Sequence, residues 1–515
     1  MGGNQIGKNG NGKRLNSPQA VNSAVKSICD IMRRSNCAGA LQYVPELTWI
    51  LFLRILDEQE TREAERAEAV GAEFTPSLSA PYRWQDWAAP GSPKRKELAE
   101  AGTLGSYKGF VNEQLLPHIR TLKDQPNANA RQKVISEIMT GVERVRIDTE
   151  RNLLDVLDNV HEISSESVDD THVFTLSQVY EGLLLKMGEK GNDGGQFFTP
   201  REVIRVMVRA IDPKIDQKVY DPGCGTGGFL AQSYEYLREK HRDTLTGEQI
   251  ETLKNSTFYG REKENLIYPI GLANLVLHGI DQPNLWHGNT LTGSETYGGL
   301  FLSAPSLYDV VLTNPPFGGK EGKEAQTRFA YKTGATQVLF LQHVMDSLKS
   351  GGRCGIVMDE GVLFRTNETA FVQTKRKLLD DCNLWCIVSL PPGAFVNAGA
   401  GVKTNMLFFT KGCRTEKIWY FDLSDRKVGK KNPLTAADFE EFFKLLPTCA
   451  DSERSWTVPR EEIDAKNYDL KAVNPNAKST EDTRTPEELL DFIEAKGKEV
   501  AEAVNTLRAM SAKQD

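Results

Sequence analysis

The stretch Val219-Tyr220-Asp221-Pro222-Gly223-Cys224-Gly225-Thr226-Gly227-Gly228-Phe229-Leu230 constrains the fold more than any other part of this chain. It reads as a strand, a tight turn and a helix start. Glycines let a backbone pass close to a ligand and take positive φ. Gly223, Gly225 and Gly228 satisfy G-x-G-x-x-G, which alone fits a dinucleotide-binding turn, and a ligand-free glycine turn has the same composition. Asp221 and Pro222 shift the balance. A carboxylate at the end of the first strand accepts hydrogen bonds from a ligand amine or from loop amides, and it repels a pyrophosphate. That favours a ligand with a cationic amino-acid moiety over NAD.

Around this turn, short β-like runs alternate with helical segments after Asp170: residues 218–220, 257–259, 308–313, 354–358, 385–390 and 406–409. The alternation predicts βαβ units, hence an α/β fold with a parallel sheet covered by helices on both faces. Residues 308–312 are almost continuously apolar, as in a strand buried on both sides, with Asp309 the exception. Glu262 ends the second predicted strand, 41 residues beyond Asp221. An acid at that tip suits both hydroxyls of a ribose; a surface carboxylate is the alternative. The gap exceeds the ~20 residues of the dinucleotide fingerprint, and the charged insertion 243–254 accounts for much of the excess.

Asn314-Pro315-Pro316-Phe317 follows 93 residues after Asp221, at the end of the buried strand. Both turns should therefore line one crevice beyond the carboxyl ends of the strands. Two prolines stiffen a turn and remove two N–H groups. The Asn314 side-chain oxygen and the Pro315 carbonyl can each accept a hydrogen from a planar –NH2 group, and Phe317 can stack on the base that carries it. A plain Asn-Pro turn is the bland alternative. Upstream, Gln196-Phe197-Phe198-Thr199-Pro200-Arg201 predicts a helix capped by Thr199 and begun by Pro200, with Glu202 completing a capping box. Cys224 reads as a small packing residue.

The flanks differ in character. Residues 1–16 form a Gly- and Asn-rich tail that reads as disordered, and 17–165 read as an α-helical domain, with 76–93 a loop and one helical stretch over 131–160. A catalytic α/β domain is expected over 166–412. From Gly412 that signal fades into a C-terminal region, 413–475. Within 476–515, Thr485 and Glu488 form a capping box, and Leu489, Ile493, Lys496, Val500, Ala503, Leu507 and Met510 repeat at coiled-coil spacing. That helix either docks on another subunit or packs on its own domain. Residues 318–337 are either a mobile flap or an ordinary loop. The eight cysteines form no C-x-x-C pair and lie apart from the histidines, so no metal site or disulfide framework is expected, and a reducing cytoplasm is. No run approaches the ~18 apolar residues of a membrane span. With 63 basic and 70 acidic residues, the net charge of −7 is the reverse of what a chain gripping DNA unaided usually carries. The basic clusters at 375–377 and 426–431 are either phosphate contacts or solvated faces.

The two motifs together, Asp221-Pro222 with Gly225-Thr226-Gly227-Gly228 and then Asn314-Pro315-Pro316-Phe317, resemble the amino-group DNA methyltransferases that use S-adenosylmethionine, and the adenine-N6 members in particular. More narrowly, residues 20–475 resemble the modification subunit of type I restriction-modification systems. Gly195 to Arg201, Asn274-Leu275-Val276-Leu277-His278-Gly279, Gly361-Val362-Leu363-Phe364 and Val402-Lys403-Thr404-Asn405 carry that match. The resemblance implies a Rossmann-like methyltransferase sheet with an N-terminal α-helical domain and a C-terminal helical extension. It implies cofactor binding by Gln196, Phe197, Phe198, Thr199, Pro200, Arg201, Asp221, Gly223, Gly225, Thr226, Gly227, Gly228 and Glu262, and catalysis by Asn314, Pro315, Pro316 and Phe317. It further implies DNA as substrate, a separate specificity subunit shared by two modification chains, and restriction subunits in the full complex. Asn289 stands where related enzymes commonly have Asp. A stand-alone DNA methylase, a methylase of protein glutamine amides and a non-catalytic cofactor-binding scaffold are the competing readings; the Asp221-Pro222 pair disfavours a dinucleotide oxidoreductase.

Overall fold

The computed structural model describes residues 18–35, 37, 40–103, 105–163, 199–395, 403–429, 432–476 and 485–511. Among the described residues before 164 every regular element is helical, led by Pro18–Arg34 and the 30-residue helix Ala40–Ala69. The stretch 131–160 is two helices, Ala130–Met139 and Glu150–His161. Two separate caps divide it: Asn129 and Gln132 close a capping box, and the Thr149 hydroxyl accepts from the Asn152 amide. The segment 76–93 is more than loop. It holds the short helix Trp84–Trp87, whose two indoles are buried, and Trp84 Nε1 donates to His161 Nδ1 at 3.0 Å.

The remaining elements build a ten-stranded sheet: β1 Val219–Asp221, β2 Phe258–Glu262, β3 Asn284–Asn289, β4 Ser294–Tyr297, β5 Tyr308–Thr313, β6 Leu348–Asp359, β7 Cys382–Ser389, β8 Thr404–Lys411, β9 Lys417–Asp422 and β10 Ser455–Pro459. Their spatial order is β10-β9-β7-β8-β6-β5-β1-β2-β3-β4. The central five, β6-β5-β1-β2-β3, are mutually parallel, and β8 enters antiparallel between β6 and β7. Strand order reverses at β1, which pairs with β2 on one side and β5 on the other. Ligands bind at such a switch point. The sheet does not stop near residue 412. The aromatic run Trp419-Tyr420-Phe421 makes β9 a buried strand parallel to β7, and β10 closes the edge.

Side chains alternate across β5 as the pleat requires. Val310 and Leu312 join one apolar core, and Val311 joins the core on the opposite face. Asp309 interrupts the run at little cost, because its carboxylate accepts from the Lys218 amide at 2.9 Å and from Lys349 Nζ at 2.9 and 3.0 Å. The first core runs without a break from the N-terminal helices onto the sheet. The helix Ile267–Leu277 lies between them. It is apolar on all sides, as a helix buried on both faces must be. Arg131 ties the seam with contacts to Glu63 and to Asp281 of 2.7 Å each.

The basic clusters fit the two readings only in part: Arg376 is exposed, Lys430 and Lys431 lie outside the described residues, and two members are engaged within the fold. Lys375 is neither a phosphate contact nor on a solvated face: it is buried, and its ammonium donates to the carbonyls of Leu363 and Arg365 at 2.7 and 2.8 Å. Arg426 is spent on Asp438 at 2.6 Å. No helix among the described residues is long and apolar enough to cross a membrane.

Candidate active site

A cavity of about 720 Å³ opens at the carboxyl ends of β1, β2, β3 and β5, within the size range of cofactor and small-ligand sites. Both sequence motifs line it. Of the predicted site residues, Thr199, Pro200, Arg201, Asp221, Gly223, Gly225, Thr226, Gly228, Glu262, Asn314, Pro316 and Phe317 face it. Gly227 and Pro315 shape the two turns from behind that lining. Gln196, Phe197 and Phe198 lie outside the described residues.

The glycine turn is held in place from three sides. Gly225 and Gly227 have φ of 53° and 78°, values that L side chains avoid. A Cβ on Gly227 would meet Leu275 at 3.0 Å, and one on Gly228 would meet Ile204 at 2.9 Å. Gly271 lets the buried helix approach from below, since a Cβ there would stand 2.8 Å from the Gly225 carbonyl. One turn further along the same helix, Asn274 Nδ2 donates to the Thr226 carbonyl at 2.8 Å. From the β3 side, the Thr290 hydroxyl donates to the Pro222 carbonyl at 2.6 Å.

Two acids sit in this frame. Asp221 is 1% exposed; its Oδ1 accepts from the Gly223 amide at 3.1 Å and from the Thr313 hydroxyl at 2.7 Å. Burial pushes its carboxyl up to about 7, and the Thr313 and Gly223 hydrogen bonds oppose that rise. Glu262 is also buried. Its Oε2 accepts from Gly225 N at 2.8 Å, and its Oε1 from Lys263 N and Glu264 N at 2.8 and 2.7 Å. Burial raises this carboxyl too, against those three amides. A carboxylate has about four acceptor positions, so the amides leave Glu262 one for a ligand hydroxyl. Two buried acids in one cavity favour a ligand that brings positive charge and hydroxyl donors. Asn289 also lines the cavity, but its side-chain oxygen accepts from the Leu291 and Thr292 amides at 2.9 and 3.2 Å and shapes its own turn.

At the second turn, Asn314 Oδ1 is buried and has no hydrogen-bond partner among the described residues. Its Nδ2 donates to the Thr199 hydroxyl at 3.0 Å. The Pro315 carbonyl receives a long 3.4 Å contact from Gln337 Nε2, whose Oε1 accepts from the Asp359 amide at 2.9 Å. A carbonyl oxygen has two lone pairs, so this one contact does not saturate it. Phe317 meets Phe395 edge-on, with ring centroids 5.2 Å apart.

The Thr199 reading needs correction. The helix is Arg201–Ile211, Pro200 stands at its N-cap, and no side chain caps it. Glu202 pairs with Arg205 instead of closing a box. The hydroxyl has been taken by a residue 115 positions away, a contact that local pattern does not encode. Thr313, Gln337, Phe340 and Phe395 stand in no motif and are not legible as site residues: Thr313 bonds Asp221, Gln337 touches the Pro315 carbonyl, Phe340 lines the cavity and Phe395 meets Phe317. Cys224 fits its packing role, 5% exposed with its thiol pushed well above the usual range by burial. Residues 318–337 are a folded excursion. Glu321 N donates to the Gly334 carbonyl at 2.8 Å, and Arg328 reaches back to the Leu291 carbonyl at 3.2 Å. Among the described residues no group of three or more His, Cys, Asp or Glu could hold a metal ion.

Known proteins resemble this chain over most of its length. Residues 171–484 match the N-6 DNA methylase family and residues 21–160 the HsdM N-terminal domain. The chain is 32% identical to the EcoEI type I restriction enzyme methylase subunit of Escherichia coli, over 95% of this chain and 97% of that one. It is 30% identical to the EcoKI methylase subunit of E. coli K12, over 85% and 79% respectively. Among solved structures, a chain from a type I restriction-modification system studied for complex assembly and conformational transition has 36% identity and a TM-score of 0.70, covering 97% of this chain and 100% of that one. A modification subunit assigned to a type I restriction enzyme of Vibrio vulnificus has 32% identity and a TM-score of 0.76, over 90% and 98%.

Proposed function

The chain belongs to the methylase, or modification, subunits of type I restriction-modification systems, and from that premise we propose that its two cavity-facing turns divide the work of adenine-N6 methylation. The protein is an adenine-specific DNA methyltransferase that works in assembly with other restriction-modification subunits. Its family uses S-adenosylmethionine, and the residues present fit that molecule. The glycine turn borders the cavity with Gly223, Gly225 and Gly228, and two buried acids line the same space. Asp221 would hold the methionine amino group, and Glu262 would give its one open acceptor position to the ribose. Gly223, Gly225, Thr226, Gly227 and Gly228 would let the backbone close around it. The segment Gln196 to Arg201 would cover the methionine end. When bound, S-adenosylmethionine supplies a methyl group already activated for attack by a neutral amine.

The protein's own part is positioning and charge placement. Adenine N6 is planar and its lone pair is delocalised into the ring. Asn314 Oδ1 and the Pro315 carbonyl each accept one N6 hydrogen, which draws the lone pair out of the ring and aims it. Pro316 locks the turn. Phe317, braced by Phe395, stacks on the base. The target lies inside duplex DNA and must be extruded to reach this turn. No covalent intermediate with the protein is required, in keeping with the buried, unreactive Cys224.

The observation that carries the reading is that Asn314, Pro316 and Phe317 line the same cavity as Asp221 and Glu262. Asn314→Ala is expected to abolish methyl incorporation into DNA and to leave cofactor affinity within about threefold by calorimetry. Wild-type turnover in this variant would refute the assignment.

Target reading is proposed to reside on a separate specificity subunit shared by two modification chains, with restriction subunits joining the full complex. The helix Pro486–Ser511 supports such an assembly, because residues 490–505 are exposed along it, among them Leu490, Ile493 and Val500.

A further inference from the structure

We infer that Thr199 is a positioning residue that orients the Asn314 side chain toward the target amine, an inference that rests on the adenine-N6 reading above. An Asn side chain turns about a broad terminal torsion, so its amide needs a fixed partner if it is to present one particular atom. Thr199 is that partner. Its hydroxyl lies 3.0 Å from Asn314 Nδ2 and performs no capping duty on the helix it precedes. With Nδ2 engaged there, Oδ1 is the other end of the amide and meets no donor among the described residues. Both residues line the same cavity.

The direction matters chemically. An amine offers hydrogens, so the group facing it must be the carbonyl oxygen. If Nδ2 faced the amine, two donors would meet and the hydrogen bond would be lost. With Nδ2 committed to the Thr199 oxygen, the amide keeps Oδ1, the acceptor that an amine requires, as its free end. The backbone on both sides makes this a stable reference point. Pro200 fixes the chain just after Thr199, and Asn314 follows directly on the buried strand β5, whose last residue Thr313 is fully buried and bonded to Asp221. The hydroxyl thus links the chain just before the helix Arg201–Ile211 to the turn that would hold the base.

The test uses the full chain assembled with its specificity subunit, acting on unmethylated genomic DNA from a strain that lacks this chain. Turnover is measured at saturating S-adenosylmethionine, so that any change in cofactor affinity is removed from kcat. Thr199→Val keeps the shape and removes the hydroxyl. It is expected to lower kcat at least tenfold while the melting temperature stays within 2 °C. Thr199→Ser keeps the hydroxyl and is expected to restore kcat to within threefold of wild type. The inference is overturned if Thr199→Val recovers full kcat once cofactor saturates, which would make Thr199 a cofactor contact alone. It is equally overturned if the serine variant is as slow as the valine variant. Inactivity of Asn314→Ala beside a fully active Thr199→Val sinks this inference and leaves the N6 reading standing; activity of Asn314→Ala sinks both.

Discussion

Asp221→Asn isolates the electrostatic design of the cofactor turn. Asp221 is buried at the end of β1, and burial raises its carboxyl from 3.8 to about 7. An acid whose pKa is higher in the folded state binds its proton more tightly there than in the unfolded chain. Stability from this group is therefore greatest at low pH and declines as pH rises from about 4 to about 7, levelling off above that. One pKa unit corresponds to about 1.4 kcal/mol. Between pH 5.5 and 8 the ligand-free wild-type protein should thus lose about 2 kcal/mol through Asp221 alone. The asparagine keeps an Oδ1 that can accept from both Thr313 and Gly223, so the turn stays in place while the titration disappears. Urea melts of both proteins at the two pH values measure the difference. Cofactor binding should run the other way. Wild-type affinity for S-adenosylmethionine should increase through pH 7 as the carboxylate forms, and the variant should bind weakly with no such increase. Identical pH dependence of stability in the two proteins would refute the proposed ionisation. Undiminished cofactor affinity in the variant would remove Asp221 from the amino-group site.

Other expectations follow from the same geometry. Gly271→Ala places a Cβ 2.8 Å from the Gly225 carbonyl; overpacking of this kind costs about 1–3 kcal/mol, and calorimetry should show cofactor affinity reduced at least tenfold with DNA binding retained. A chain ending at Asn476 should keep its melting temperature, because residues 490–505 are exposed, but it should fail to copurify with the specificity subunit. Undiminished copurification would remove that helix from the assembly.

Much of the fold was legible because local chemistry and tertiary role coincide. The strand at 308–313 and the turn at 221–228 announce themselves by composition, and the structure pairs their strands as neighbours, β5 beside β1. The Thr485 capping box also forms, with mutual contacts of 2.6 and 3.2 Å to Glu488. The strands β3 and β4 were not read, because Asn284–Asn289 contains only two strongly apolar residues, Leu285 and Trp286, and Ser294–Tyr297 is mostly polar. Pairing with β2 makes β3 a strand, where its own propensity does not. Lys375 misled for a related reason. A lysine in a basic run looks solvated, and only the folded chain places the carbonyls of Leu363 and Arg365 within its reach.

The sequence by itself determined the class of sheet, the position of the glycine turn, and the residue types suited to an ammonium ligand and to an exocyclic amine. Those properties reside in side-chain chemistry at short spacing, which a linear reading preserves. Only the tertiary structure decided that Thr199 serves Asn314 instead of its own helix, that Gly271 and Asn274 shape the turn from a helix that also borders the N-terminal domain, and that Glu262 retains a single open acceptor. Each of these depends on atoms brought within about 3 Å of one another from distant parts of the chain, and strand order, which no local pattern records, decides which atoms those are.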